Sequence, residues 1–217
     1  LDLETLNVRV EGERFGFETD QAQALPLRLR RWWEMMEPKG EISAFNVSYD
    51  SENQIFRAMI EVRGISLTLP YFGEADDRGD GPDESARQFR LTDVAGSFLI
   101  VNDRITISEL QGNLEGIQYT IEGTIDGLGL KAPFELALLT NEFDVPDRPP
   151  YLPSLPEGAR QIFEKFKPSG RFQVAARIQR DQIDGPLSYD GSVSLRDGRV
   201  TYARFPYPLK NVSGRIV

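Results

Sequence analysis

The sequence predicts a mostly β protein: an elongated, curled antiparallel sheet, a β-groove or open sandwich, made of two repeat units with one short helix in each. Three observations carry that expectation. Much of the chain alternates apolar and polar side chains, the period of a strand with one oily face and one wet face. Four sequence blocks recur in the same order in its two halves, the signature of a repeat architecture. Among the 217 residues there is no histidine and no cysteine, so what remains is carboxylate chemistry or no chemistry.

The elements follow in chain order. The opening LDLETLNVRV alternates like a strand, and the expectation for it is a strand rather than a signal peptide. Leu29, Trp32, Trp33 and Met36 stand at helical spacing and predict a helix over about 27–37. Pro38 stops it, because the residue before a proline disfavours the helical conformation, and Gly40 starts the next strand, which carries Phe45 and Val47. Phe56, Ala58, Ile60 and Val62 then share one face, with Arg57, Glu61 and Arg63 on the other. An acidic loop fills 73–86, and FRLTDVAGSF (89–98) leads back into strand.

The second unit begins at Ile105. Ile117, Tyr119, Ile121, Gly123 and Ile125 alternate with Gln118, Thr120, Glu122 and Thr124. A proline-rich insertion, DVPDRPPYLPSLP, covers 144–156. Ala159, Ile162, Phe163 and Phe166 predict a helix over about 157–166, stopped by Pro168 and followed by Gly170. Phe172, Val174, Ala176 and Ile178 form the next oily face, and Leu187, Tyr189, Gly191, Val193 and Leu195 the one after it. Asp126-Gly127, Asp184-Gly185, Asp190-Gly191 and Asp197-Gly198 punctuate these runs; several read as turns, and Gly191 also fits inside its strand. FPYPL (205–209) fits a ligand-binding ridge or an edge segment whose prolines block further pairing.

The units are 1–104 and 105–217. LDLETLNVRVEG (1–12) matches ITISELQGNLEG (105–116) without a gap, so Leu6, Glu11 and Gly12 recur as Leu110, Glu115 and Gly116. WWEMMEPKG (32–40) matches IFEKFKPSG (162–170), and FRLTDVAGSF (89–98) matches YPLKNVSGRI (207–216). The last residues stop inside an alternating run, so the expectation is a segment of a longer array.

Candidate chemistry is sparse. Without histidine there is no Ser-His-Asp triad, no imidazole base and no HExxH metal site; without cysteine there is no disulfide framework and no thiolate. A net charge of −9 argues against nucleic acid. The acidic loop holds Glu74, Asp76, Asp77, Asp80, Asp83 and Glu84, but its spacing is not that of an EF-hand. It reads as a solvated insertion, and its Arg78-Gly79-Asp80 tripeptide carries little information. Asp103, Glu109, Glu115 and Glu122 single out no acid/base pair of the kind a glycosidase needs. Asn-Val-Ser triplets at Asn46 and Asn211 fit the glycosylation pattern, yet Asp93 stands where Asn211 stands in the repeat, which points to a structural role near a turn. The expectation is therefore no enzyme, no metal and no cofactor.

A helix ending in Pro-x-Gly, a strand run, DGRVTYARFPYPLKNVSGRI (197–216) and the run Ile105 to Gly116 together resemble the AsmA-like proteins, the group that includes the TamB and YhdP relatives. The resemblance covers nearly the whole chain as two successive units. It implies a periplasmic β-structure, anchored to the inner membrane through a region outside this segment, whose curled sheet carries phospholipid acyl chains along an oily groove. It implies no catalytic residues. The groove candidates are Phe45, Val47, Phe56, Ile60, Val62, Ile117, Tyr119, Ile121, Phe172, Val174, Leu187, Tyr189 and Val193. The rival expectation is a β-sandwich binding or adhesion module that recognises a protein or glycan partner through loops 73–86 and 144–156. The pattern alone leaves a filled core and an open groove equally possible.

Overall fold

A computed structural model describes residues 7–16, 30, 33–34, 36–69, 89–129, 131–146, 149, 152, 157–204 and 207–216. The acidic loop 73–86 lies wholly outside these residues, and so do most of the first predicted helix and much of the insertion 144–156.

All described strands belong to one antiparallel sheet of 11 strands. They are β1 (Asn7–Gly16), β2 (Glu41–Asp50), β3 (Ile55–Leu69), β4 (Phe89–Val101), β5 (Arg104–Leu114), β6 (Ile117–Asp126), β7 (Phe134–Thr140), β8 (Phe143–Val145), β9 (Ser169–Arg180), β10 (Ser188–Val200) and β11 (Leu209–Ile216). Spatial order follows chain order, with β7 and β8 pairing to successive stretches of β9. The sheet does not close on itself: β1 and β11 are its two edges. It also runs without a break through position 104, where the β4–β5 hairpin turns.

One helix, α1 (Glu157–Phe166), matches the sequence expectation for 157–166. Of the other predicted helix, Arg30, Trp33, Glu34 and Met36 have helical backbone. The two Pro-x-Gly segments share one path. Glu37 N–H donates to Trp33 C=O at 2.9 Å and Lys167 N–H to Phe163 C=O at 2.7 Å. Glu37 and Lys167 both take positive φ, at 44° and 38°, and Gly40 and Gly170 follow at 120° and 125°. A left-handed residue just past a helix turns the chain, and the proline then prevents the helix from resuming.

The strands are bent by β-bulges, each adding one residue on one side of the ladder. On β3 the extra residue falls at Gly64, on β4 at Asp93, on β5 at Glu109, on β10 at Asp197 and on β11 at Asn211, all at positive φ. Asp197-Gly198, one of the turn candidates, is thus a bulge inside β10; Gly191 also lies within that strand.

The β3–β4 and β10–β11 hairpins carry the same shifts. In the first, Val62 pairs with Gly96, Ile65 with Val94 and Leu67 with Leu91. In the second, Leu195 pairs with Gly214, Gly198 with Val212 and Val200 with Leu209. The other sequence match behaves differently. Glu115-Gly116 is a two-residue hairpin turn between β5 and β6, both residues at positive φ, the geometry a tight hairpin favours. Glu11-Gly12 lies mid-strand in β1, paired to Asn46 and Phe45. The same dipeptide follows different paths because its neighbours pair differently.

Candidate functional site

Alternation fixes which side chains share a face, and cross-strand register joins the faces into one. Phe45 pairs with Ile60, Val47 with Ala58 and Tyr49 with Phe56. Ile60 pairs with Phe98 and Phe98 with Ile107. Gly112 then faces Tyr119, Leu110 faces Ile121, and Leu114 faces Ile117. Beyond them Ile121 meets Leu138, Leu138 meets Ala176, Val193 meets Val174, and Leu195 meets Phe172. Twelve of the thirteen groove candidates therefore stand on one continuous apolar face from β2 to β10. The thirteenth, Leu187, stands one residue before β10 begins and is only half-buried there.

The centre of that face holds one packed cluster: Val62, Ile65, Leu67, Leu91, Val94, Ile107, Leu110 and Tyr119 are all buried. Ile60, Phe98, Ile105, Leu114, Ile121, Leu136 and Leu138 pack half-buried around it. Most cluster members were not among the groove candidates. At Gly64, Asp93 and Glu109 bulges slip the alternation by one residue, which takes Ile65, Leu67 and Leu91 out of phase with the rest of their strands; Val94, Ile107 and Leu110 lie on β4 and β5, which hold no groove candidate. The slip itself is a usable signal, since Ile65-x-Leu67 resumes the pattern out of phase with Ile60-x-Val62.

Coverage is uneven along the strands. At the end where the helices attach, Met36 packs on the cluster. Lys39 and Ser66 exchange two backbone hydrogen bonds, at 2.8 and 2.9 Å. The last turn of α1 accepts hydrogen bonds from the chain just past β10, Thr201 N–H to Phe166 C=O and Ala203 N–H to Lys165 C=O, and Phe166 stacks on Tyr202 with ring centroids 5.4 Å apart. At the opposite end, where β2–β3 and β9–β10 turn, the face opens: Phe56 is 38% exposed and Tyr189 58%.

The face is almost free of polar groups. Two of the candidates carry a hydroxyl, Tyr189 at the open end and Tyr119 in the cluster. The Tyr119 ring covers Gly112 across the strands, where a β-carbon would overlap it, and its buried hydroxyl finds no hydrogen-bond partner among the described residues. That burial pushes the phenol well above its ordinary pKa.

The opposite face carries the charges. Arg177 pairs with Glu135, Arg196 with Glu142 at 2.9 Å, and Arg171 with Asp197 at 2.8 Å, all substantially exposed. A depression of about 600 Å³ lies there, bordered by Glu122, Leu139, Ala175, Arg177, Asp190 and Arg215. It mixes both signs of charge and does not coincide with the groove candidates. The carboxylates considered for catalysis stay apart: Asp103 sits in the β4–β5 turn, Glu109 on a bulge, Glu115 in the β5–β6 turn, and Glu122 on the charged face. No cluster of three metal-ligating side chains exists among the described residues, and no described helix is long and apolar enough to cross a membrane. Asn46 donates to Glu11 at 2.8 Å, and Asn211 is a bulge residue.

No family model matches this chain, and no curated protein or solved structure does either.

Proposed function

We propose that this chain is a non-enzymatic, lipid-handling segment of an AsmA-like envelope protein, built from two copies of one unit, with acyl chains lying on the apolar face of its sheet. The observation that carries the reading is the extent of that face. It crosses the sheet from strand to strand, with one described sheet and no second one stacked against it. Each methylene it takes from water contributes about 0.8 kcal/mol, so about ten carbons of an acyl chain contribute roughly 8 kcal/mol against the cost of association. The helix-side end is packed and the turn end is open, which gives a chain one direction of entry, past Phe56 and Tyr189. The two-unit reading draws support from the shared Pro-x-Gly path and from the matching bulges of β3–β4 and β10–β11. Under this proposal the segment works in the periplasm, tethered to the inner membrane by a region outside it, and the charged face meets solvent.

Mass spectrometry of a lipid extract tests the reading. The purified segment is expected to carry phospholipid above a control protein handled identically. Tyr189→Asp, at an exposed position, is expected to lower the load several-fold, and Ile60→Asp and Val174→Asp to abolish it. Met59→Asp, on the opposite face beside Asn46, leaves it unchanged. A lipid content no higher than the control overturns the proposal.

A further inference from the structure

One charge breaks the division between the two faces. β9, an interior strand, ends in Arg180, and Arg180 pairs with Phe134 of β7. Phe134 pairs in turn with Ile125, so the register puts the arginine on the apolar face, two residues beyond Ile178. Among the described residues that cross-strand pairs place on that face, Arg180 alone is charged. Where other strands reach the same end, the face stays apolar, with Tyr49, Phe56, Ile100, Ile105 and Ile125 in the last positions. The fold therefore does not demand a cation there. The guanidinium carbon lies 5.4 Å from the centroid of the Phe134 ring, a favourable place for a cation, and the residue is half-buried. The turns on either side of it are tied together: Asp184 N–H donates to Lys131 C=O at 3.0 Å, and the Lys131 ammonium meets the Asp184 carboxylate at 2.7 Å. Tyr189, which pairs with Ile178, is exposed at this end, and so is Ile183 in the β9–β10 turn.

We infer that Arg180 is a headgroup subsite of the apolar face: its guanidinium receives the anionic head, a phosphate or a carboxylate, of an amphiphile whose acyl chain lies along the face. This subsite presupposes the lipid reading above and adds to it a preference for negative charge at the head. The match is one of polarity along a line. An acyl amphiphile carries its charge at one end of an oily chain, and the face carries one opposite charge at the end where it is open. A chain held there runs over Ile178, Leu136 and Val174 toward the packed end. Its head stays at the margin, near water, so no ligand charge is buried among apolar groups. A guanidinium offers five donors in a planar fork that fits the oxygens of phosphate and carboxylate, so a contact made through one edge leaves donors for a ligand. An arginine that served only to cover Phe134 with its stem would leave binding indifferent to the charge of the head.

Displacement of the neutral fluorophore phenylnaphthylamine from the purified protein tests it, with dodecyl phosphate, laurate and dodecanol as competitors, each below its micellar concentration. The parent is expected to bind the two anions about tenfold tighter than the alcohol, the scale of one charge-assisted hydrogen bond, and to lose part of that preference as salt is raised. Arg180→Met keeps an apolar stem beside Phe134 and is expected to bind all three as the parent binds dodecanol. Arg180→Lys keeps the charge without the fork and is expected to retain part of the preference; it carries the comparison if Arg180→Met loses the circular dichroism of the parent. Arg177→Met, on the charged face, is expected to keep the preference whole. Tighter binding of dodecyl phosphate than of laurate assigns the head to a phosphate, and the reverse to a carboxylate. Equal affinity of the parent for anions and alcohol, a preference that survives both Arg180 variants undiminished, or an equal loss in Arg177→Met overturns the subsite while dodecanol binding leaves the lipid reading standing. Failure of all three competitors to bind overturns both.

Discussion

The β3–β4 and β10–β11 hairpins have the same bulges in the same register, yet one lies at the packed centre of the sheet and the other at its rim. Leu91 and Leu209 occupy equivalent ladder positions, one buried and one open. The backbone path is a property of each hairpin alone, whereas burial depends on the strand that lies next to it. Conformation and stability therefore separate here: two hairpins with one geometry are held by very different amounts of buried surface.

The largest expected contrast is at these leucines. Leu91→Ala removes buried methyls from the cluster and is expected to cost about 2–5 kcal/mol. Leu209→Ala, in dilute protein, stays within about 0.5 kcal/mol of the parent. Urea unfolding of both variants reads this directly, and equal losses would break the comparison.

Next in size is the glycine pair. Gly96→Ala forces a β-carbon against the Leu110 backbone at a φ of 155°, and overpacking of this kind costs about 1–3 kcal/mol. Gly214→Ala is expected to fall within about 0.5 kcal/mol of zero. Thermal midpoints would separate the two.

A smaller effect is expected to be shared. Asp93 and Asn211 hold left-handed φ values of 53° and 55°. Glycine relieves that strain at the expense of a more flexible unfolded chain, so Asp93→Gly and Asn211→Gly each shift stability by under about 1 kcal/mol, in the same direction. Opposite signs in denaturant titration would mean the bulges answer to their neighbours rather than to their own hairpins.

The smallest effect lies away from both hairpins, in the β2–β3 turn. Asp50 accepts hydrogen bonds from the Asn53 backbone N–H at 3.1 Å and side-chain amide at 2.8 Å, which hold its pKa below the ordinary value. A depressed carboxylate contributes its stability above the unfolded pKa and loses it as pH falls through the folded one. Asp50→Ala should therefore lower stability slightly at neutral pH, and the difference from the parent should vanish as pH falls through the folded pKa, which flattens the acid limb. A chemical-denaturation series from neutral to strongly acidic pH would check it.

Much of the apolar face is legible in the sequence. Ile60, Tyr119, Val174 and their companions were identified from alternation alone, because which side of a strand a residue faces depends only on parity within that strand. The same rule failed at Gly64, Asp93 and Glu109. A bulge shifts parity by one, so Ile65 and Leu67 fall out of phase with Ile60 and Val62, and Leu91 with Val94 and Phe98. The α1 boundaries were legible too, since helical spacing and a following proline are local signals.

By itself the sequence determined the β class, the oily-face residues of the regularly alternating runs, one helix and the Pro-x-Gly stop that follows it. Only the tertiary structure decided that the strands form one unclosed sheet in chain order, that Glu115-Gly116 turns while Glu11-Gly12 runs straight, and that Leu91 is core while Leu209 is rim. The physical reason is range. Side-chain parity, helix spacing and left-handed φ preferences are settled within a few residues, whereas strand partnership is settled by segments that the chain brings together from far apart.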